Sequence, residues 1–176
     1  AKQAFQKLED CFDILVAGDG EESIFEAINP DSKSTLIDAD DPKSSMFLTN
    51  KSLDKLPFPS RHLVDLDSYH YTIDGVRATS LIAQLGCPFE CGFCGGRISP
   101  MLRRIRTRSS EDIVEEMVHL YKEHGIGGFM FYDDELNVNK NLVELMQLIS
   151  KTQRDLGTSF SLRGFIKAEL FTDEQA

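Results

Sequence analysis

Three of the chain's four cysteines, Cys87, Cys91 and Cys94, fall within eight residues, directly after the apolar run 79–85 and its terminal Gly86. Thiols packed so tightly cannot all pair: one stays unpaired or a bridge is badly strained. The opening Ala-Lys-Gln-Ala lacks the apolar core of a secretory signal. Clustered thiols without such a signal point to metal binding in a reducing, cytoplasmic compartment rather than to a disulfide framework. The spacing is three residues, then two. Three thiolates on so short a loop can take three corners of an iron–sulfur cube, while Gly92, Gly95 and Gly96 let the backbone fold around it. A structural zinc site is the alternative, but zinc wants four ligands, usually from two separate pairs. No fourth ligand is local, since His62 and His70 precede the strand and Cys11 belongs to a different part of the chain.

From residue 78 strand and helix patterns alternate. Residues 79–85 read as a first strand. Ser109 or Ser110 can cap a helix whose apolar positions, Ile113, Val114, Met117, Val118, Leu120 and Tyr121, share one face of a 3.6-residue repeat. Ser109 followed by Asp112 resembles a capping box with a shortened acid, and Gly125 supplies a left-handed stop. Residues 128–132 form a second strand closed by Asp133-Asp134-Glu135. Asn139 can cap a second helix built on Leu142, Val143, Leu145, Met146, Leu148 and Ile149, and Gly157 ends it. Residues 159–166 form a third strand, and 172–174 begin a third helix. Such repeats predict an α/β fold with parallel strands, an incomplete TIM-like β/α barrel whose chemistry sits at the carboxyl ends of its strands.

Upstream, residues 12–17 read as a buried strand followed by the turn Gly18-Asp19-Gly20 and a helix over 23–28, the closing part of a Rossmann-like unit. Gly18 and Gly20 serve either a tight turn or a dinucleotide fingerprint, and the third glycine of such a fingerprint is replaced by Ser23. The expected domains are 1–28, a linker over 29–77 holding four of the six prolines, and 78–176 as the first half of the barrel. Three repeats cannot close a barrel, so the chain reads as cut from something longer, inactive and prone to self-association when alone. With 19 Lys plus Arg against 29 Asp plus Glu, the net charge of −10 argues against a nucleic-acid binder. No apolar stretch approaches the roughly 18–20 residues that cross a bilayer, so no membrane partner is expected.

The cysteine spacing, with the aromatic Phe93 just before the last thiol, resembles the radical S-adenosylmethionine (SAM) enzymes. Cys87, Cys91, Phe93 and Cys94 fit that signature in the expected loop. Residues 58–89, with Pro59, Asp65, Leu66 and Tyr69, and the run Arg106-Thr107-Arg108-Ser109 resemble the cobalamin-dependent branch. Asp133-Asp134-Glu135-Leu136 keeps that branch's paired aspartates but departs from it at Leu136, where an aromatic is usual. Residues 12–22 resemble the exit of a cobalamin-binding domain. None of His62, His70, His119 or His124 stands in that branch's aspartate-x-histidine-x-x-glycine setting, and some members keep such a domain without the cofactor.

The resemblance implies a [4Fe-4S] cluster on Cys87, Cys91 and Cys94, with its fourth iron open to SAM. It implies an electron from a flavodoxin-type or ferredoxin-type protein and cleavage of SAM to methionine and a 5′-deoxyadenosyl radical. The outcome would be cobalamin-dependent C-methylation of a small molecule or peptide. A radical SAM cyclase, oxidoreductase or methylthiotransferase is the alternative within the class. An electron carrier or metal-binding module without SAM chemistry is the alternative outside it. Phe93 would lie near the adenine, or else fill the barrel mouth. Asp133, Asp134 and Glu135 would hold the SAM ammonium, Glu135 first, or else are solvated acids. Arg163 would reach the SAM carboxylate or substrate, or else form a structural ion pair. Arg97, Arg103, Arg104, Arg106 and Arg108 read either as a positive rim or as partners of Glu111, Glu115 or Glu116. His119 and His124, five apart, do not share a face well enough for a metal site and are expected on the surface.

Overall fold

The computed structural model of the protein describes residues 11–176. The start of the expected 1–28 domain, residues 1–10, lies outside them. The chain divides into two compact units, residues 1–49 with 88–104 and residues 50–87 with 105–176.

In the first unit, β1 (Leu15–Gly18) and β2 (Leu36–Ala39) pair in parallel, joined through α1 (Gly20–Ala27). Ala17, Ile37 and Ala39 are buried there. Gly18 has φ +102°, and a Cβ on it would collide with the Ala39–Asp40 backbone, so the crossing at the strand ends needs glycine. The segment 88–104 is fastened within this unit. Asp40 Oδ1 accepts from the Met101 N–H (2.9 Å) and the Ser99 hydroxyl (3.3 Å), and the Arg104 guanidinium lies over the Phe47 ring.

In the second unit a short helix, α2 (Asn50–Leu53), precedes a curled four-stranded sheet, half of a β/α barrel. Its strands are β3 (Thr72–Ile73) and β4 (Val76–Leu81), then two that follow later in the chain. Between them come the short β5 (Gln84–Leu85) and β6 (Arg106–Thr107), antiparallel to each other, and α3 (Ser110–His124). The remaining elements are β7 (Gly128–Phe131), α4 (Leu142–Leu156) and β8 (Ser161–Gly164). The order is β3-β4-β7-β8, with β3 antiparallel to β4 and the others parallel. Asp74 and Gly75, both at positive φ, make the two-residue β3–β4 turn.

The helix expected over 110–124 forms as its pattern predicts. Ile113, Val114, Met117 and Leu120 pack with Leu81, Phe129 and Phe131 on the outer face of the sheet, together with Leu145 and Ile149 of α4. Phe160 stands edge-on to Phe129 (5.2 Å between centroids) and Tyr121 (5.5 Å), the arrangement the ring quadrupoles favour. Gly125 takes the left-handed stop at φ +64°. The capping box is only half made. Ser109 Oγ accepts from the Asp112 N–H (3.3 Å), but the Ser109 N–H donates to Asp54 (2.7 Å), and the Asp112 carboxylate turns to Arg108.

Three elements differ from the sequence reading. The first strand is two pieces, β4 and β5, because the chain leaves the ladder at residues 82–83. Asn141 rather than Asn139 stands at the start of α4, with Asn139 Oδ1 accepting from the Asn141 N–H. The expected third helix at 172–174 is a turn. Asn137, 6% exposed, joins the extensions of β7 and β8 by exchanging two hydrogen bonds with the backbone of Lys167.

Candidate functional site at the carboxyl ends of the strands

All three clustered cysteines are free thiols, Cys87 half-buried and Cys91 and Cys94 exposed. The division between the two units falls between Cys87 and Cys91. The Cys94 N–H donates to the Cys91 carbonyl (3.0 Å), so these two thiols stand at the ends of one tight turn with Gly92 and Phe93 at its tip. Phe93 is 94% exposed, not core. A 3₁₀ turn, Gly95–Ile98, follows directly. The Arg103 guanidinium donates to the Pro88 carbonyl and pairs with Glu90, fastening the limb that leads to Cys91. The donor set suits an iron–sulfur cluster: three soft ligands, none committed to a disulfide, on a glycine-rich loop. Among the described residues no group of three His, Cys, Asp or Glu side chains is gathered closely enough to hold a metal ion. The thiols are presented rather than assembled.

The acids that close β7 lie in the second unit and have different fates. Asp133 is 1% exposed, and its Oδ1 accepts from the consecutive backbone N–H groups of Ala83 (3.0 Å) and Gln84. Gln84, also buried, donates its side-chain amide to the Glu135 carbonyl (2.7 Å). Three buried acceptors, Asp133 Oδ2, Gln84 Oε1 and Glu135 Oε2, have no hydrogen-bond partner. A buried acceptor without a donor is costly, so each of these atoms would gain from an N–H group or a positive charge. Asp134 is exposed.

Burial pushes the Asp133 carboxyl up to about 6, against the pull of the Gln84 and Ala83 amides and with help from the Asp134 charge. Because folding raises this pKa above its ordinary 3.8, the folded state holds the proton more tightly. The stabilisation is therefore present below about pH 4, fades as pH rises to about 6, and amounts to roughly 3 kcal/mol. Urea unfolding between pH 4 and 7 should show wild type losing stability relative to Asp133→Asn by about that amount. Parallel curves would contradict the assignment.

A second buried constellation was not legible as a unit. Glu116, 2% exposed, lies between Arg61 (3.0 Å) and Arg108 (2.7 Å). Arg108 also holds Asp112 (2.7 Å) and the Ile82 carbonyl, and Arg61 holds the Ser80 carbonyl. Burial alone would lower the Arg108 pKa, but Glu116 and Asp112 outweigh it and hold it above the usual arginine value. Of the partners expected for the arginine run, Glu116 is found. Arg106 is buried, and the Arg97 side chain lies outside the described ones.

Register places Ser80, Met130 and Arg163 together on the inner face of the sheet. Arg163 is half exposed and meets Asp74 of the hairpin at 3.9 Å, a long and weak pair. Beyond that layer, Tyr132 and Phe165 stand edge to face (6.0 Å) and are exposed. His119 is exposed and His124 half-buried. Their rings meet at 6.0 Å over the last turn of α3, with Phe58 against His119 at 6.1 Å.

A parallel half-barrel with a three-thiol loop after its first parallel strand and buried carboxylates after its second defines an α/β enzyme scaffold. The chain belongs to the radical SAM superfamily, whose family model matches residues 81–174. It is 28% identical over 169 residues to a Pyrococcus horikoshii protein named as an uncharacterized methyltransferase, covering 87% of this chain and 35% of that one. It is 29% identical over 150 residues to the anaerobic magnesium-protoporphyrin IX monomethyl ester cyclase of Cereibacter sphaeroides, covering 77% of this chain and 24% of that protein. The chain thus spans about a third or less of these relatives' length. Among solved structures, the radical SAM methyltransferase TsrM of Kitasatospora setae matches with a TM-score of 0.48 and 21% identity, over 56% of this chain and 19% of that one. No helix among the described residues is long and apolar enough to cross a membrane.

Proposed function

We propose that Cys87, Cys91 and Cys94 hold a [4Fe-4S] cluster and that the protein cleaves SAM reductively to drive cobalamin-dependent C-methylation of a small molecule or peptide, in which methylcobalamin would supply the methyl group. When bound, the cluster supplies the electron, received from a flavodoxin-type or ferredoxin-type donor, that breaks SAM into methionine and a 5′-deoxyadenosyl radical. The observation that carries this reading is the two buried, donor-less acceptors after β7, Asp133 Oδ2 and Glu135 Oε2, downstream of the thiol loop in a radical SAM half-barrel. Glu135 accepts from the SAM ammonium through Oε2, and Asp133 and the exposed Asp134 add negative potential. Phe93 packs near the adenine, and Arg163 receives a carboxylate of SAM or substrate. Neutralising the ammonium in a partly dry site contributes about 1.5–3 kcal/mol.

Methylation is favoured because a relative matched over 87% of this chain carries a methyltransferase name. The cyclase relative keeps ring closure as the second reading. Cobalamin enters through the family resemblance of residues 12–22 and 58–89. The β1–α1–β2 unit offers no histidine as a cobalt ligand.

Anaerobic reconstitution with iron and sulfide, followed by SAM and a reductant, should release methionine and 5′-deoxyadenosine in equal amounts. Zinc in place of iron, or no deoxyadenosine, would overturn the reading. Glu135→Gln should raise the KM for SAM about 10–100-fold with a smaller change in kcat. Added cobalamin, followed by visible absorption, separates cobalamin-dependent methylation from the other radical reactions.

A further inference from the structure

Residues 80–85, which lead from β4 into the cysteine loop, leave the sheet ladder at 82–83, and the polar groups there must find partners elsewhere. Carbonyls along the stem are held by arginines and by backbone. Arg61 takes Ser80, the Tyr132 N–H takes Leu81, the Arg108 side chain takes Ile82, and the Arg108 N–H takes Ala83. The N–H groups of Ala83 and Gln84 face the other way, toward β7, where no strand continues to receive them. Asp133 supplies the acceptor for both with one oxygen. The returning limb of the loop is tied to the same stem, because β5 pairs with β6. Gly86 then turns at φ +91°, and Cys87 follows.

We propose that Asp133 is a positioning residue for the cysteine loop: by bridging the Ala83 and Gln84 amides it fixes the strand end from which Cys87 departs. This rests on the cluster reading of the three thiols, and it assigns to Asp133 a task that neither Asp134 nor Glu135 shares. The lever is short. Two residues, Leu85 and Gly86, separate the second held amide from the residue that carries the first sulfur, so a stem free to shift moves that ligand directly. Partners one shell out from a metal commonly change its retention about 10–100-fold when lost.

The test is retention of the cluster. The full protein, wild type and variant, is reconstituted without air using iron and sulfide. Iron per chain, the rate of iron loss to a ferrous chelator and the electron paramagnetic resonance spectrum of the reduced cluster are then measured. Asp133→Ala should lose iron at least about tenfold faster, with an altered spectrum. Asp133→Asn, whose amide oxygen can still accept both N–H groups, should stay close to wild type. Should the alanine variant fail to fold, Asp133→Ser, whose hydroxyl is too short to bridge both amides, carries the comparison. Wild-type retention in the variants that cannot bridge, or an Asn variant as leaky as Ala, overturns the proposal. A wild-type protein that takes up no iron and sulfide instead overturns the cluster reading, and the proposal with it.

Discussion

Replacing any one of Cys87, Cys91 or Cys94 by alanine is expected to reduce 5′-deoxyadenosine formation to the level of an enzyme-free control. Each thiolate would take one corner of a cube that has only three protein ligands, so no redundancy exists within the loop. Serine should not rescue, because an alkoxide is a harder and more basic donor than the thiolate that iron–sulfur clusters use. Cys11 provides the internal comparison. It is an exposed free thiol outside the run, and Cys11→Ala should leave iron content and SAM cleavage unchanged. An active Cys91→Ala protein, or a Cys11→Ala protein that fails to take up iron, would count against the assignment. These measurements need no knowledge of the final substrate, since SAM cleavage can be followed without it.

Glu116→Ala should destabilise the protein by roughly 3–5 kcal/mol, the usual cost of stripping one partner from a buried ion pair. For a domain of this size that lowers Tm by about 10 °C. Both guanidinium groups remain after the substitution, each largely buried; Arg108 keeps Asp112 at 2.7 Å, while Arg61 loses its ion pair. The damage comes less from the lost attraction than from the charge stranded on Arg61. It should also loosen the stem, because the same arginines hold the Ser80 and Ile82 carbonyls. Glu115→Ala, on the exposed side of the same helix, should fall within about 0.5 kcal/mol of wild type. Equal melting temperatures for the two variants would show that the Arg61–Glu116–Arg108 cluster carries no such weight. Salt should change the Glu116 effect little, since a buried pair is poorly screened.

The elements read most accurately from the chain were those with a local pattern. The buried face of α3 follows from apolar residues at helical spacing, its start from Ser109 and its end from Gly125. β7 announces itself as a short apolar run ended by acids. The strand predicted over 79–85 was misjudged because residues 82–83 are as apolar as their neighbours, and only the absence of a ladder partner there splits it. Asn141 displaced Asn139 at the start of α4 because Asn139 uses its side chain to shape the preceding turn. The arginine run offered two readings, and local spacing had no means to choose between them. Glu116 was among the named partners, but nothing near it foretold Arg61, 55 residues earlier, as the second arm of the cluster.

What the amino-acid sequence settled alone was chemistry that depends on neighbours along the chain: the cysteine spacing, the strand-helix alternation and the family these define. What tertiary structure decided was which acids are buried and what they touch. Asp133 and Asp134 are adjacent and chemically identical, yet one is enclosed on two amides from 50 residues away and the other faces solvent. Burial and desolvation are set by everything that packs around a group, and no window of local sequence contains that information.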